Sequence, residues 1–202
     1  MVKTMTINKL IVPGILLLIF TIYGCKDKLP IQDDISKVHY TLLNEDSSKV
    51  VFPDNVKGRI VVMGFIFTNC PDICPMTTNN MQRIQQEAAK QGLKNVSFVS
   101  LSFDPTRDTP SVLKQFAGVR GISLDNWHFL TGEENVIDSL KRKMHFIAIA
   151  GDTSYTSDGK PYYFFVHTDR ISLIDEDGRV RKNYKGSQAN INEVVNDIKS
   201  LE

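Results

Sequence analysis

The chain of 202 residues has little of what usually announces a binding chemistry. It holds three cysteines, four histidines and a single tryptophan. Three is an odd number, so at least one cysteine stays outside any internal disulfide. Basic residues exceed acidic ones by one, too small an excess to mark a nucleic-acid binding protein. There is no repeat at a fixed period and no low-complexity tract, which excludes a repeat array and a mainly disordered chain. No apolar run reaches the roughly 20 residues that a membrane-crossing helix needs. What remains, 42% hydrophobic and 23% charged residues, suits one globular domain of ordinary size.

The N-terminus stands apart from that domain. Lys3 and Lys9 precede a short apolar run from Leu10 to Ile22, the pattern of a secretion signal. The residues that follow, Tyr23, Gly24 and Cys25, resemble with Ile22 the lipobox of bacterial lipoproteins. That resemblance implies cleavage before Cys25 and lipidation of its sulfur. Residues 1–24 then read as a lipoprotein signal peptide, 25–37 as a linker and 38–202 as the folded domain. The mature chain would lose two lysines and no acid, and would sit outside the cytoplasm on a bacterial membrane. Cys70 and Cys74 would be its only thiols, in a compartment where disulfides persist.

From Val38 onward the pattern alternates. A hairpin over Val38 to Phe52 precedes the wholly apolar strand "RIVVMGFIF" (Arg59 to Phe67). Pro75 opens a helix with Met81, Ile84 and Ala88 on one face. A second buried strand, Val96 to Phe103, leads to a helix capped by Thr109. A short strand (Asn126 to Gly132), a helix from Glu133, a strand "HFIAIA" and a polar loop (151–161) come next. Two strands around the Glu176 to Gly178 turn and an amphipathic helix close the chain. Strands alternating with helices argue a three-layer α/β sheet. A cysteine pair at the first strand-to-helix junction argues its thioredoxin-like version. The segment between the third helix and His167 reads as an insertion into that plan.

"TNCPDICPMT" carries Cys70 and Cys74 just past a buried strand, at the sheet edge where α/β folds place their sites. A helix N-terminus lowers a thiol pKa there. Three readings stay open. A structural disulfide would close a very short loop and contribute little. A redox dithiol needs only the pair. A metal site needs a third ligand, and soft thiolates suit copper(I); zinc would be left short of its four ligands. Among the histidines, His39 lies in the hairpin, His128 beside Trp127, and His145 at the head of a strand, whereas His167 sits at a junction between two strands. Asp72 between the cysteines, and Asp104, Arg107 and Asp108 after the second strand, are candidates for tuning the site or simply for capping helices. Phe65 and Phe67 read as core, and residues 141–143 as a solvated helix end.

Taken in order, "FTNCPDICPMT", "SFDPTRDTP", "WHFLTG" and "VHTDRISLIDEDG" resemble the Sco/SenC family of copper chaperones, over about Val38 to Glu202. The resemblance implies a thioredoxin-like fold and copper ligands at Cys70, Cys74 and His167, alongside the N-terminal hairpin and the insertion before the C-terminal strands read above. It implies delivery of copper to the dinuclear site of cytochrome c oxidase subunit II or a related oxidase, with an upstream copper donor or thiol reductant. The alternative it carries is a thiol-disulfide oxidoreductase that reduces that site's cysteines through Cys70 and Cys74. A peroxidase-type relative fits poorly with a proline-flanked cysteine pair.

Overall fold

The computed structural model describes residues 29–202 apart from Pro71, Asp72, Thr156 and Lys160. Residues 1–24, Cys25 and Asp72 therefore lie outside the described residues. The first strand, β1 (Asp33–Asp34), is followed by the hairpin β2 (Tyr40–Asn44) and β3 (Lys49–Phe52). Then come β4 (Ile60–Ile66), α1 (Ile73–Lys90), β5 (Val96–Ser102), α2 (Pro110–Val119), β6 (Trp127–Thr131) and α3 (Glu134–Lys143). Four short strands, β7 (Ala148–Ala150), β8 (Ser154–Tyr155), β9 (Pro161–Tyr162) and β10 (Phe165–His167), precede β11 (Ile171–Ile174), β12 (Arg179–Tyr184) and α4 (Ile191–Leu201).

Eight strands form one sheet in the order β1-β12-β11-β4-β5-β6-β2-β3. β4, β5 and β6 are parallel, and the flanking pairs are antiparallel. Every residue of β4 and β5 is buried, as runs without polar alternation require at the middle of a covered sheet. Successive side chains of β4 go to opposite faces. Ile60, Val62 and Ile66 pack with Met81, Ile84, Leu113, Phe116, Val194 and Ile198, beneath α1, α2 and α4. Val61, Met63 and Phe65 pack with Leu42, Phe52, Ile137, Leu140 and Phe146, beneath α3 and the hairpin. Each such side chain contributes about 1.5–3 kcal/mol by leaving water. At Gly64 a Cβ would come 2.6 Å from Met81 Sδ, so the helix that carries Cys74 lies directly on the strand that aims it.

Thr109 caps α2 through its side chain, with Pro110 in the first turn. Two boundaries differ from the sequence reading. The 25–37 segment is not all linker: Asp33 and Asp34 pair with Val180 and Arg179 of β12, and Ile35 is buried. Helix α1 starts at Ile73, not Pro75, because a proline fits the first turn, where its missing N–H has no partner to lose.

The insertion is an ordered arm. β7 pairs antiparallel with β10, and β8 with β9 further out. Its base is tied by Thr168 N–H donating to the Ile147 carbonyl at 2.9 Å, and by Ile147 N–H donating to Thr168 Oγ1 at 3.1 Å. Two expectations are corrected here. The 151–161 loop carries β8, and "HFIAIA" is a strand only from Ala148. His145 precedes it in a left-handed turn with φ of 49°, ending α3 instead of opening a strand. The arm's inner face packs on the domain: Phe165 and Tyr163 lie 5.1 and 6.1 Å from the Phe67 ring. Its outer face leaves Ile147, Ile149, Phe164 and Val166 exposed. Among the described residues no helix is long and apolar enough to cross a membrane.

Candidate metal centre

β4 ends at Ile66, and the chain turns over Phe67–Cys70 before α1 begins. Cys70 N–H donates to the Phe67 carbonyl at 3.0 Å, closing the turn that lifts Cys70 to the head of the helix. Cys74 follows in the first turn of α1, fully buried, with its N–H directed at Cys70 Sγ at 3.5 Å. The third member arrives from the arm. His167, the last residue of β10, brings Nε2 to 3.6 Å from Cys74 Sγ. The Sγ atoms of Cys70 and Cys74 and the His167 ring nitrogen all lie within 4.8 Å of one another. No other such group of three occurs among the described residues.

The imidazole is oriented from behind. His167 Nδ1 lies 3.0 Å from the Thr168 carbonyl oxygen, which can only accept; Nδ1 therefore carries the proton and Nε2 keeps its lone pair toward the sulfurs. Phe103 lies 5.1 Å from the His167 ring and Phe146 lies 6.1 Å from it, shielding one side from water. Burial is the strongest single influence on His167 and pulls its pKa down, but the Cys70 sulfur and the Thr168 carbonyl outweigh it, so the pKa is raised. Cys74 departs from the expectation of a lowered pKa. Its hydrogen bond with Cys70, then burial, push that thiol far up. The less buried member of the pair, Cys70, is the one that receives the helix N–H.

The carboxylates after β5 sit behind this turn. Asp108 is completely buried. It accepts from Thr68 N–H at 3.2 Å, from Thr68 Oγ1 at 2.5 Å and from Ser102 Oγ at 2.6 Å, fixing the backbone two residues before Cys70. Asp104 accepts from Tyr163 Oη at 2.9 Å, and Arg107 stacks 3.6 Å above the Tyr163 ring. These three residues therefore tie the arm and the cysteine turn to the main sheet, while the cap of α2 is Thr109. Burial pushes the Asp108 pKa up despite its three donors. The folded protein thus holds this proton to higher pH than the unfolded chain, whose value is near 3.9. The stabilisation is complete below that value and is lost as pH rises through the folded pKa. Asp108→Asn should remove this slope: from pH 4 to pH 7 the urea midpoint of the native apo chain should fall relative to the variant's. Parallel midpoints would refute it.

The remaining candidates lie elsewhere. His39 is exposed and pairs with Asp54 at 2.7 Å. His128 lies half-buried on β6. His145 is exposed, 3.8 Å from Asp33. Phe65 and Phe67 are core, as read. Lys141 and Lys143 bridge to Asp138 and Asp33. Sequence reasoning missed Phe103, Tyr163 and Asp169. All three stood inside or beside stretches already singled out, but nothing local to them signals a role.

The family model described as SCO1/SenC matches residues 30–202. The chain belongs to the SCO1/SenC family. The SCO1 protein homolog of Bacillus subtilis is 33% identical over 163 residues, covering 80% of each chain. Among solved structures, a SCO1/SenC family lipoprotein from Bacillus anthracis matches with a TM-score of 0.67 and 28% identity, over 85% of this chain and 99% of that one. BsSco, described as a member of the Sco family of cytochrome c oxidase assembly proteins and as having a disulfide switch, matches with a TM-score of 0.67 and 30% identity, over 85% and 96%. The sheet and helices described above are accordingly the thioredoxin-like fold of Sco structures. Copper-bound ScoI of Bradyrhizobium japonicum, 24% identical with a TM-score of 0.67 over 82% and 98%, shares that fold.

Proposed function

We propose that this SCO1/SenC member takes up copper through Cys70, Cys74 and His167 and passes it to the dinuclear copper site of cytochrome c oxidase subunit II or a related oxidase. The observation that carries this reading is the convergence of two sulfurs and one imidazole nitrogen within 4.8 Å. Two soft thiolates and a borderline imidazole suit copper(I), and the imidazole also admits copper(II). Three donors leave the ion open to attack by an incoming ligand, so it can move by exchange rather than by release into water. Copper is the cargo here, and these three side chains are its carrier. The kinship with oxidase assembly proteins supports the destination. X-ray absorption on the copper-loaded chain should show sulfur and nitrogen neighbours. A shell of oxygen and nitrogen alone would sink the assignment.

A second reading is favoured by the asymmetry of the cysteines. Cys70 is partly exposed and receives the Cys74 N–H, whereas Cys74 is buried with a raised pKa. That is the layout of an attacking and a resolving thiol. Cys70 thiolate would attack a substrate disulfide and expel one thiolate. Cys74 would then displace the second, leaving a Cys70–Cys74 disulfide and a reduced substrate. Such a disulfide would also remove both sulfurs from copper, so redox state would gate loading.

The same proposal includes the anchor. Cys25 would be the lipidated N-terminus of the mature protein, holding the domain on the outer side of a bacterial membrane. Cys25→Ser is expected to block processing or to shift the protein from the membrane to the soluble fraction on cell fractionation. A mature protein that retains residues 1–24, shown by mass spectrometry, would overturn it.

A further inference from the structure

Cys70 and Cys74 lie on the turn after β4 and the first turn of α1, but His167 stands on an arm whose outer face is exposed. Something must hold that imidazole against Cys74. The arm's base ties Thr168 to Ile147, which joins one arm strand to the other, and Tyr163 ties the arm to Asp104 and Arg107 after β5; neither contact reaches α1. The link to the cysteine helix comes from Asp169. Its Oδ1 accepts from Thr77 Oγ1 at 3.2 Å and from Ser187 N–H at 2.9 Å, and its Oδ2 accepts from Ser187 Oγ at 2.5 Å. Thr77 lies on α1, three residues beyond Cys74, and is buried. The other side of the clamp is fixed as well. Asn80, one turn further along α1, donates through Nδ2 to the Gly186 carbonyl at 2.9 Å. A Cβ at Gly186 would come within 2.8 Å of Asp169 Oδ1 and Thr77 Oγ1, so backbone, carboxylate and helix meet there without spare room.

We propose that Asp169 is a positioning residue. It clamps the segment after His167 to α1 and thereby sets the distance between His167 Nε2 and the sulfur of Cys74. The chain of contacts is short. Thr77 and Ser187 fix Asp169, Asp169 fixes its neighbour Thr168, and the Thr168 carbonyl fixes the imidazole through Nδ1. Supporting hydrogen bonds of this kind orient a ligating ring, and losing one costs about 10–100-fold in metal affinity. The inference rests on the metal-ligand reading of His167, and its test separates the two.

The native chain, Asp169→Ala, Asp169→Asn and His167→Ala are compared in three measurements. These are copper(I) affinity by competition with a chromogenic chelator, the rate of thiol exchange through Cys70 and Cys74, and the ring nitrogen signals of His167 in the metal-free protein. Asp169→Ala is expected to lower copper affinity about tenfold or more, to leave thiol exchange within about twofold of native, and to mix the two His167 tautomers. Asp169→Asn keeps an oxygen acceptor for Ser187 N–H and should recover most of the affinity. If His167→Ala weakens copper binding while folded Asp169→Ala does not, the positioning role is wrong and the ligand reading stands. If His167→Ala has no effect, the ligand reading itself is wrong. A melting temperature that falls in Asp169→Ala with native affinity and native tautomer would mean a structural role alone, which also overturns the proposal. Should Asp169→Ala fail to fold, Ser187→Ala removes one contact from the clamp and is expected to weaken copper binding in the same direction; unchanged affinity there would refute it.

Discussion

His167→Ala is expected to lower copper(I) affinity by roughly a hundredfold or more, beyond the loss of a supporting contact, while leaving disulfide reduction by Cys70 and Cys74 near the native rate. The reason is the division of donors. Thiol exchange needs one attacking and one resolving sulfur, both on the turn and helix that follow β4, and the imidazole takes no part in either bond change. On the proposed ligand set copper transfer needs the third donor, because two thiolates alone would make a different, more open site. Cys70→Ser or Cys74→Ser should abolish both activities. The check is a paired assay on one set of variants: reduction of a disulfide substrate in vitro, and oxidase activity in cells grown on limiting copper. Normal oxidase in His167→Ala cells under copper limitation would remove copper delivery through this site as the function and leave the reductase reading in its place.

Trp127→Ala should destabilise the domain by about 3–5 kcal/mol, a large part of the roughly 5–15 kcal/mol that holds a domain of this kind together. Trp127 is fully buried on β6, and its ring lies 5.6 Å from Phe129 and 5.3 Å from Phe98 of the neighbouring strand. Its Nε1–H donates to Ser100 Oγ at 3.0 Å. Truncation leaves a cavity beneath α2 and strands a buried hydroxyl. The urea midpoint measures the loss, and a change of less than about 1 kcal/mol would show that the surrounding rings collapse into the space.

The parts legible in the sequence were those decided locally. The apolar runs of β4 and β5 have no polar alternation, so burial on both faces followed from the letters. Thr109 and Pro110 announced their helix. Cys70 and Cys74 lie four residues apart at a strand-to-helix junction, and their shared position needed no distant partner. His167 could be separated from three other histidines only through its junction and the motif around it. The rest depended on contacts far along the chain. Asp169 meets Thr77 across 92 residues, and nothing near either residue foretells that bond. Asp33 and Asp34 have low strand propensity, and become a strand because β12 offers an open edge. The arm's short strands carry too few residues for alternation to be read. The thiol of Cys74 was misjudged because its helix position argued for a lowered pKa, while burial and the adjoining sulfur act the other way.

His167 and Cys74 are separated by 93 residues of sequence. An ion gripped by both is therefore a detachable crosslink around nearly half the chain. Closing a loop that long costs conformational entropy once, and the folded protein has already met that cost before any ion arrives. On the proposed ligand set, loading would favour the native state by an amount that grows with the logarithm of free ion over dissociation constant, less what Cys70 and Cys74 bind in the unfolded chain. The laden carrier would then be the more heat-resistant of the two forms. Melting temperature would be a gauge of cargo, readable without following the metal at all.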